Sequence, residues 1–159
     1  MVAEPILTMA VGVASVLGFA GGALGSSIGL LISTRASVSV ISEDSSQARN
    51  AILLAALPMT QTLYGAIFAI YIATTVMPRA ATLTSISAWG IFGLGIVVMI
   101  SECFSAWYQG ITCATGIAML SKTKGQITPS TLVLAAYTEF IGILGMVFGI
   151  AITSLMITP

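Results

Sequence analysis

Leu132-Val133-Leu134-Ala135-Ala136-Tyr137-Thr138-Glu139-Phe140-Ile141-Gly142-Ile143-Leu144-Gly145 opens a stretch that stays apolar, small or hydroxyl-bearing as far as Ile157. Its one charge is Glu139. A helix over residues 132–157 would be roughly 39 Å long at 1.5 Å per residue, enough to cross the ~30 Å hydrocarbon core of a bilayer. An ionised group near the middle of a membrane is costly, and such a residue marks a functional site by default. The rest of the chain is therefore searched for whatever holds that carboxylate in place.

Composition agrees with a membrane setting. Of 159 residues, 57% are hydrophobic, only 6% are charged and none is His, whereas soluble domains carry about 25% charged residues. The net charge of zero gives no basic field for nucleic acid. Cys103 and Cys113 lie ten positions apart in one apolar stretch. On a helix that is about 15 Å, too far for a disulfide within the chain, and neither has a metal-site spacing. Both are expected to be buried packing residues. The start, Met1-Val2-Ala3-Glu4-Pro5, lacks the basic region of a cleaved signal peptide. The first apolar stretch is thus expected to remain as a transmembrane helix.

Apolar stretches cover about 6–34, 51–77, 84–120 and 131–157, and each exceeds the roughly 20 residues a spanning helix needs. Polar breaks fall at Ser42–Asn50, at Pro78-Arg79 and at Lys122–Pro129. The fold class expected is an all-α membrane protein. One domain, 1–159, would hold four transmembrane helices as two tandem hairpins, 6–77 and 84–157. Arg35, Arg49, Lys122 and Lys124 flank the first and third connections, against Arg79 alone at the second. The excess of positive charge predicts those two connections in the cytoplasm and both termini outside.

The first helix carries Gly18/Gly22, Gly21/Gly25 and Gly25/Gly29 at GxxxG spacing, a pattern that lets helix backbones approach closely in lipid. Leu63-Tyr64-Gly65 recurs 80 positions later as Ile143-Leu144-Gly145, as a duplicated hairpin would require. Under that shift Glu139 falls on Met59, so only the second hairpin carries the carboxylate.

Polar side chains converge on the same depth. Leu57, Thr60, Gln61 and Tyr64 are spaced i, i+3, i+4, i+7, one helix face. Pro58 predicts a kink that frees backbone carbonyls. Gln61, Gln109 and Glu139 each lie about ten to twelve residues from the expected cytoplasmic helix ends, roughly 15–18 Å deep. A proton needs a carboxylate and little more. A metal cation needs a shell of oxygens, and one negative charge among neutral oxygens suits a monovalent ion. The alternative is that the amides and hydroxyls simply bond the helices around a neutral Glu139.

Leu57-Pro58-Met59-Thr60-Gln61-Thr62-Leu63-Tyr64-Gly65, Phe104-Ser105-Ala106-Trp107-Tyr108-Gln109-Gly110 and Glu139-Phe140-Ile141-Gly142-Ile143-Leu144-Gly145 together resemble the proteolipid K (c-ring rotor) subunit of V-type rotary ATPases, most nearly the sodium-transporting bacterial kind. The resemblance runs over the whole chain. It implies a ring of identical subunits in the cell membrane, surrounded by lipid, turning against a stator subunit that supplies an arginine and coupled to a central-stalk subunit. It also implies that this chain is a non-catalytic, ion-carrying part of the ATPase, and no GxxxxGK[ST] phosphate loop is present. Glu139 would carry the ion. Thr60, Gln61, Gln109 and the Leu57 backbone carbonyl would be the other Na⁺ ligands, and Tyr64 would hydrogen-bond Glu139. A proton-carrying ring and a self-contained four-helix transporter are the alternatives, with a purely structural membrane protein behind them.

Two residues depart from the pattern. Met59 stands where a small residue is expected, which bears on how closely the second helix approaches. Glu102 is a second intramembrane carboxylate, seven positions before Gln109. With Ser101 and Ser105 beside it, it is read either as a protonated, hydrogen-bonded packing residue, as a group facing the ring's central hole, or as an added group on the ion path.

Overall fold

The computed structural model describes residues 3–157. Among them it is helical almost throughout, with no strand. Four helical spans are long and apolar enough to cross a membrane: Pro5–Glu43, Ser45–Thr82, Ser85–Ala118 and Thr128–Ile157. They are called the first to fourth spans below.

The spans run further than the apolar stretches alone suggest. The helix containing the first span covers Ala3–Glu43, 41 residues, or about 60 Å. Arg35 therefore sits on helix, and the polar Ser45–Asn50 segment is helical too. The first connection narrows to Asp44, whose carboxylate accepts from the Ser46 amide at 3.0 Å and the Ser46 hydroxyl at 2.6 Å. That capping satisfies donors that a helix start leaves open. The third connection turns at Lys124 (φ 49°) and Gly125 (φ 81°). Gly125 is required there twice over: its φ is left-handed, and a Cβ would stand 2.6 Å from Asn50 Nδ2. The Asp44 and Lys124 turns thus pack together at one end of the bundle.

The second span is not a uniform helix. Pro58 lies in a 3₁₀ turn, Leu57–Met59, that interrupts the α-helix, and the Leu57 carbonyl there accepts from the Thr60 N–H. A π-helical turn follows at Ile72–Val76. The Ser33 and Ser37 hydroxyls of the first span reach across to Ala55 O (3.0 Å) and Ala51 O (3.1 Å) of the second.

Glycine sets the central contact, between the first and third spans. A Cβ on Gly25 would stand 2.6 Å from Cys103 Cα, and one on Gly21 would stand 2.5 Å from Met99 Cα. From the third span, Gly95 approaches Ala14 in the same way, its Cβ position lying 2.7 Å from Ala14 Cα. The first helix also presses Gly22 onto the backbone of Gln61 in the second span, so contact on several sides is what its glycines provide. Met59 does not obstruct this approach, because its side chain is turned out and 51% exposed.

Two apolar clusters fill the interior. One gathers Val11, Phe68, Ile72, Ile91 and Val98; the other gathers Val40, Leu54, Cys113, Ile117 and Leu120 near the Asp44 end. Both cysteines are free, Cys113 buried and Cys103 partly so. Between the clusters lies a band of polar side chains with almost no exposure: Gln61, Glu102, Ser105 and Gln109. Large apolar side chains cover the outside, as a lipid or partner-facing surface requires.

Candidate functional site

The polar band is a connected hydrogen-bond chain that crosses three spans. The second span supplies Gln61 and Tyr64, the third Ser105 and Gln109, and the fourth Glu139. Tyr64 donates its hydroxyl to Glu139 Oε1 at 2.7 Å. Gln109 donates from Nε2 to Glu139 Oε2 at 3.2 Å and to Ala135 O at 3.3 Å. The Gln109 Oε1 accepts from Gln61 Nε2 at 3.0 Å. Glu139 itself is partly exposed, whereas Gln61 and Gln109 are fully buried. The carboxylate therefore stands at the rim of the band with the amides behind it.

Thr60 and Leu57 join through the other end of Gln61. The Thr60 hydroxyl lies 3.2 Å from Leu57 O and 3.3 Å from Gln61 Oε1. The backbone N–H of Thr60 also meets the Leu57 carbonyl, closing the 3₁₀ turn that Pro58 imposes. Gln61 reaches Glu139 by way of Gln109, and Thr60 does so through Gln61 and also through Tyr64, with whose hydroxyl it interacts. All six residues expected at the site are thus brought into one network, though not into direct contact with one another.

The distances divide into two kinds. Tyr64 to Glu139 is an ordinary short hydroxyl–carboxylate bond. The contacts among Leu57 O, Thr60 Oγ1 and Gln61 Oε1 are long for hydroxyl donors, whose usual separation is about 2.7–2.8 Å. In a six-oxygen cation shell with bonds of about 2.4 Å, neighbouring oxygens stand about 3.4 Å apart. Leu57 O and Gln61 Oε1, at 3.2 and 3.3 Å from Thr60 Oγ1, stand at about that separation from it.

Two residues with no role assigned from sequence prove central. Ser105 accepts from Gln61 Nε2 at 3.0 Å and donates to Thr138 O at 2.8 Å, tying all three spans together. It lies four positions before Gln109, one helical turn, which is the signal that could have found it. Gly142 makes room for the band, since a Cβ there would stand 2.9 Å from Ser105 Oγ and 2.8 Å from Glu102 Oε2. Glu102 is fully buried within this chain. That corrects the expectation that it could face a central hole: the third span turns it inward, among the four helices.

Comparison with known proteins bears on the whole chain. The profile of the ATP synthase C-subunit family matches twice, over residues 11–72 and 92–152. The first match contains Gln61 and Tyr64, the second Gln109 and Glu139. The A-type ATP synthase subunit K of Methanocaldococcus jannaschii is 31% identical over 147 residues, covering 92% of this chain. This chain spans 62% of the length of that relative. Four membrane-length apolar helices together with this match identify an integral membrane protein, and the chain belongs to the C-subunit family of ATP synthases.

Proposed function

We propose that the chain is the rotor subunit of a rotary ATPase. Identical copies form a ring in the membrane, and each carries Na⁺ on Glu139 as the ring turns. Glu139, Gln109, Gln61, Thr60 and the Leu57 carbonyl are the ligands, and Tyr64 latches the carboxylate. The observation that carries the sodium reading is the donor set: Thr60 Oγ1 stands 3.2 Å from Leu57 O and 3.3 Å from Gln61 Oε1, and Gln61 leads through Gln109 to the Glu139 carboxylate, one negative charge among neutral oxygens as a monovalent cation requires.

The mechanism follows from burial and charge. Empty, Glu139 is an anion at the rim of the band, too costly to expose to lipid. Bound Na⁺ neutralises it, and the loaded site can then pass through the bilayer. At the stator an arginine from another subunit displaces the ion, and rotation drives or is driven by a central stalk. The basic excess at Arg35, Arg49, Lys122 and Lys124 supports cytoplasmic first and third connections, with both described ends of the chain outside.

A proton is the other reading. Against it, both Glu139 oxygens accept from donors, Tyr64 O–H and Gln109 N–H. The Gln109 N–H favours the anion, while the Tyr64 hydroxyl suits either form, since it donates to a carboxylate and accepts from a protonated acid.

The test is the rate at which a hydrophobic carbodiimide modifies Glu139 at fixed pH in the purified protein. Carbodiimide reacts with the protonated acid, which a bound cation suppresses. Millimolar Na⁺ should slow the reaction and equal K⁺ should not. Labelling that responds to pH alone would overturn sodium in favour of a proton. Tyr64→Phe removes the donor to Glu139 Oε1, a bond to a charged acceptor worth about 1.5–3 kcal/mol. With the latch gone, Na⁺ should protect at roughly tenfold higher concentration or more, measured by the same labelling.

A further inference from the structure

Three aromatic rings stand on the outside of the bundle, deep in the membrane. Phe104, Trp107 and Tyr108 of the third span are all exposed, and their rings stack into one ridge with centroids 6.0–6.3 Å apart. Trp107 lies about 16 Å inside the Ala118 end of its helix. Exposed Trp and Tyr ordinarily sit at the membrane–water interfaces, where the indole N–H and phenol O–H find partners. Against lipid at this depth both donors would go without an acceptor, which is costly. A protein surface that carries acceptor oxygens removes that cost.

Such a surface lies on the other flank of the bundle. Between the first and second spans run two open hollows of about 370 and 360 Å³, which meet at Leu30 and Met59. The first is lined in part by Ser27 and Thr62. Ser27 gives its hydroxyl hydrogen to Ala23 O at 2.7 Å, and Thr62 gives its own to Gly22 O at 3.3 Å. Each oxygen therefore keeps lone pairs for an incoming donor.

Ridge and groove share one depth. Gly25 packs on Cys103 and Gly29 on Ala106, which sets Ser27 level with the start of the ridge. Gln61 bonds Ser105 and Gln109, which sets Thr62 level with the same turns. The two surfaces also point apart. Cys103 and Ala106 face the first span, and Ser105 and Gln109 face the second and fourth, so the aromatic face is left outward. On the first span, Ala23 and Ser27 lie roughly half a helical turn from the glycines that meet the third.

We propose that the Phe104–Trp107–Tyr108 ridge of one copy seats in the groove of the next, with the Trp107 N–H and Tyr108 O–H donating to the Ser27 and Thr62 oxygens. A contact between unlike faces is head-to-tail, and it forms a ring when the rotation closes. Rotation about the membrane normal preserves depth, so only surfaces at one depth can meet in this way. The family profile matches each hairpin, 11–72 and 92–152, and within the chain the two hairpins join through the glycine seam. The ridge continues that series, carrying the second hairpin of one copy onto the first hairpin of the next. Met59, exposed where the hollows meet, becomes a wall of the seat. The inference rests on the ring reading of this chain and adds which side chains join the copies.

The test uses the full chain in its membrane, with Cys103 and Cys113 replaced by Ala. Ser27→Cys together with Tyr108→Cys should, on mild oxidation, give a ladder of disulfide-linked chains on a denaturing gel; neither substitution alone should do so. Trp107→Phe together with Tyr108→Phe keeps the rings and removes both donors. Its helix content should be unchanged, and its oligomer should come apart in detergent at a lower temperature. Should the cysteine pair fail to assemble, the phenylalanine pair decides alone. A large oligomer that gives no ladder means that lipid or another face fills the groove, which overturns the proposal while the ring stands. A phenylalanine variant as heat-resistant as the unaltered protein removes the two hydrogen bonds and overturns it too. Unaltered protein that is monomeric by native mass spectrometry overturns ring and interface together.

Discussion

Glu139→Gln should reduce ion transport to background while leaving the protein assembled. Glutamine has nearly the same shape, and its amide oxygen can still accept from Tyr64, which now bonds Glu139 at 2.7 Å. What disappears is the only charge at the rim of the band. Removing one member of a buried charged pair costs about 3–5 kcal/mol, or a loss of about 10²- to 4 × 10³-fold in cation affinity. Neither apolar cluster includes Glu139, so thermal stability in detergent should change little. Transport by reconstituted vesicles together with carbodiimide labelling would check both halves. Transport that persists in the variant would remove Glu139 from the mechanism.

The second large effect is expected from the glycine seam. Gly25→Val places a Cβ 2.6 Å from Cys103 Cα and closer still to its carbonyl oxygen. Backbone cannot swing aside as a flexible side chain can, so the first and third spans must separate. Overpacking ordinarily costs about 1–3 kcal/mol; here a rigid seam must open along several turns, and the loss should lie at the upper end or beyond it. Against a total stability of about 5–15 kcal/mol, the variant should yield little assembled protein and melt at markedly lower temperature. Gly93→Val is the matched control, because a Cβ there meets nothing within 4 Å. Valine is also a better helix former than glycine, so this second variant should be as stable as the original. Equal behaviour of the two would mean that the seam does not hold the bundle.

The two substitutions separate chemistry from scaffold. Glu139 sits on the fourth span, where it contributes a charge and almost no packing. Gly25 contributes close approach and no chemistry. The close approach matters for the site nonetheless, because Gly22 on the same helix lets the first span lie against the backbone of Gln61. A bulge there would move one of the amides that the hydrogen-bond chain depends on.

Much of this protein was legible in the order of its residues. Four apolar runs and three polar breaks determined four membrane-length helices, because a bilayer admits few other ways to satisfy a buried backbone. The i, i+3, i+4, i+7 spacing put Leu57, Thr60, Gln61 and Tyr64 on one face, and a shared depth put Gln109 and Glu139 opposite. Pro58 announced the turn at Leu57–Met59. These are local periodicities, and local periodicity is what a sequence expresses directly. Helix ends were less legible: polarity at Ser45–Asn50 marks the edge of the membrane, not of the helix, and Asp44 caps the latter.

Only the tertiary structure decided which side chains meet. Sequence spacing could not tell that Gln109 stands between Gln61 and Glu139, because that order depends on how three helices rotate against one another. It could not give Ser105 its place as the joint between second, third and fourth spans. It left Glu102 with three readings, since burial on a helix depends on its neighbours and not on its own periodicity. The packing of Gly142 against that carboxylate turned it inward, and a contact between residues 40 positions apart is set by the fold, not by either stretch alone.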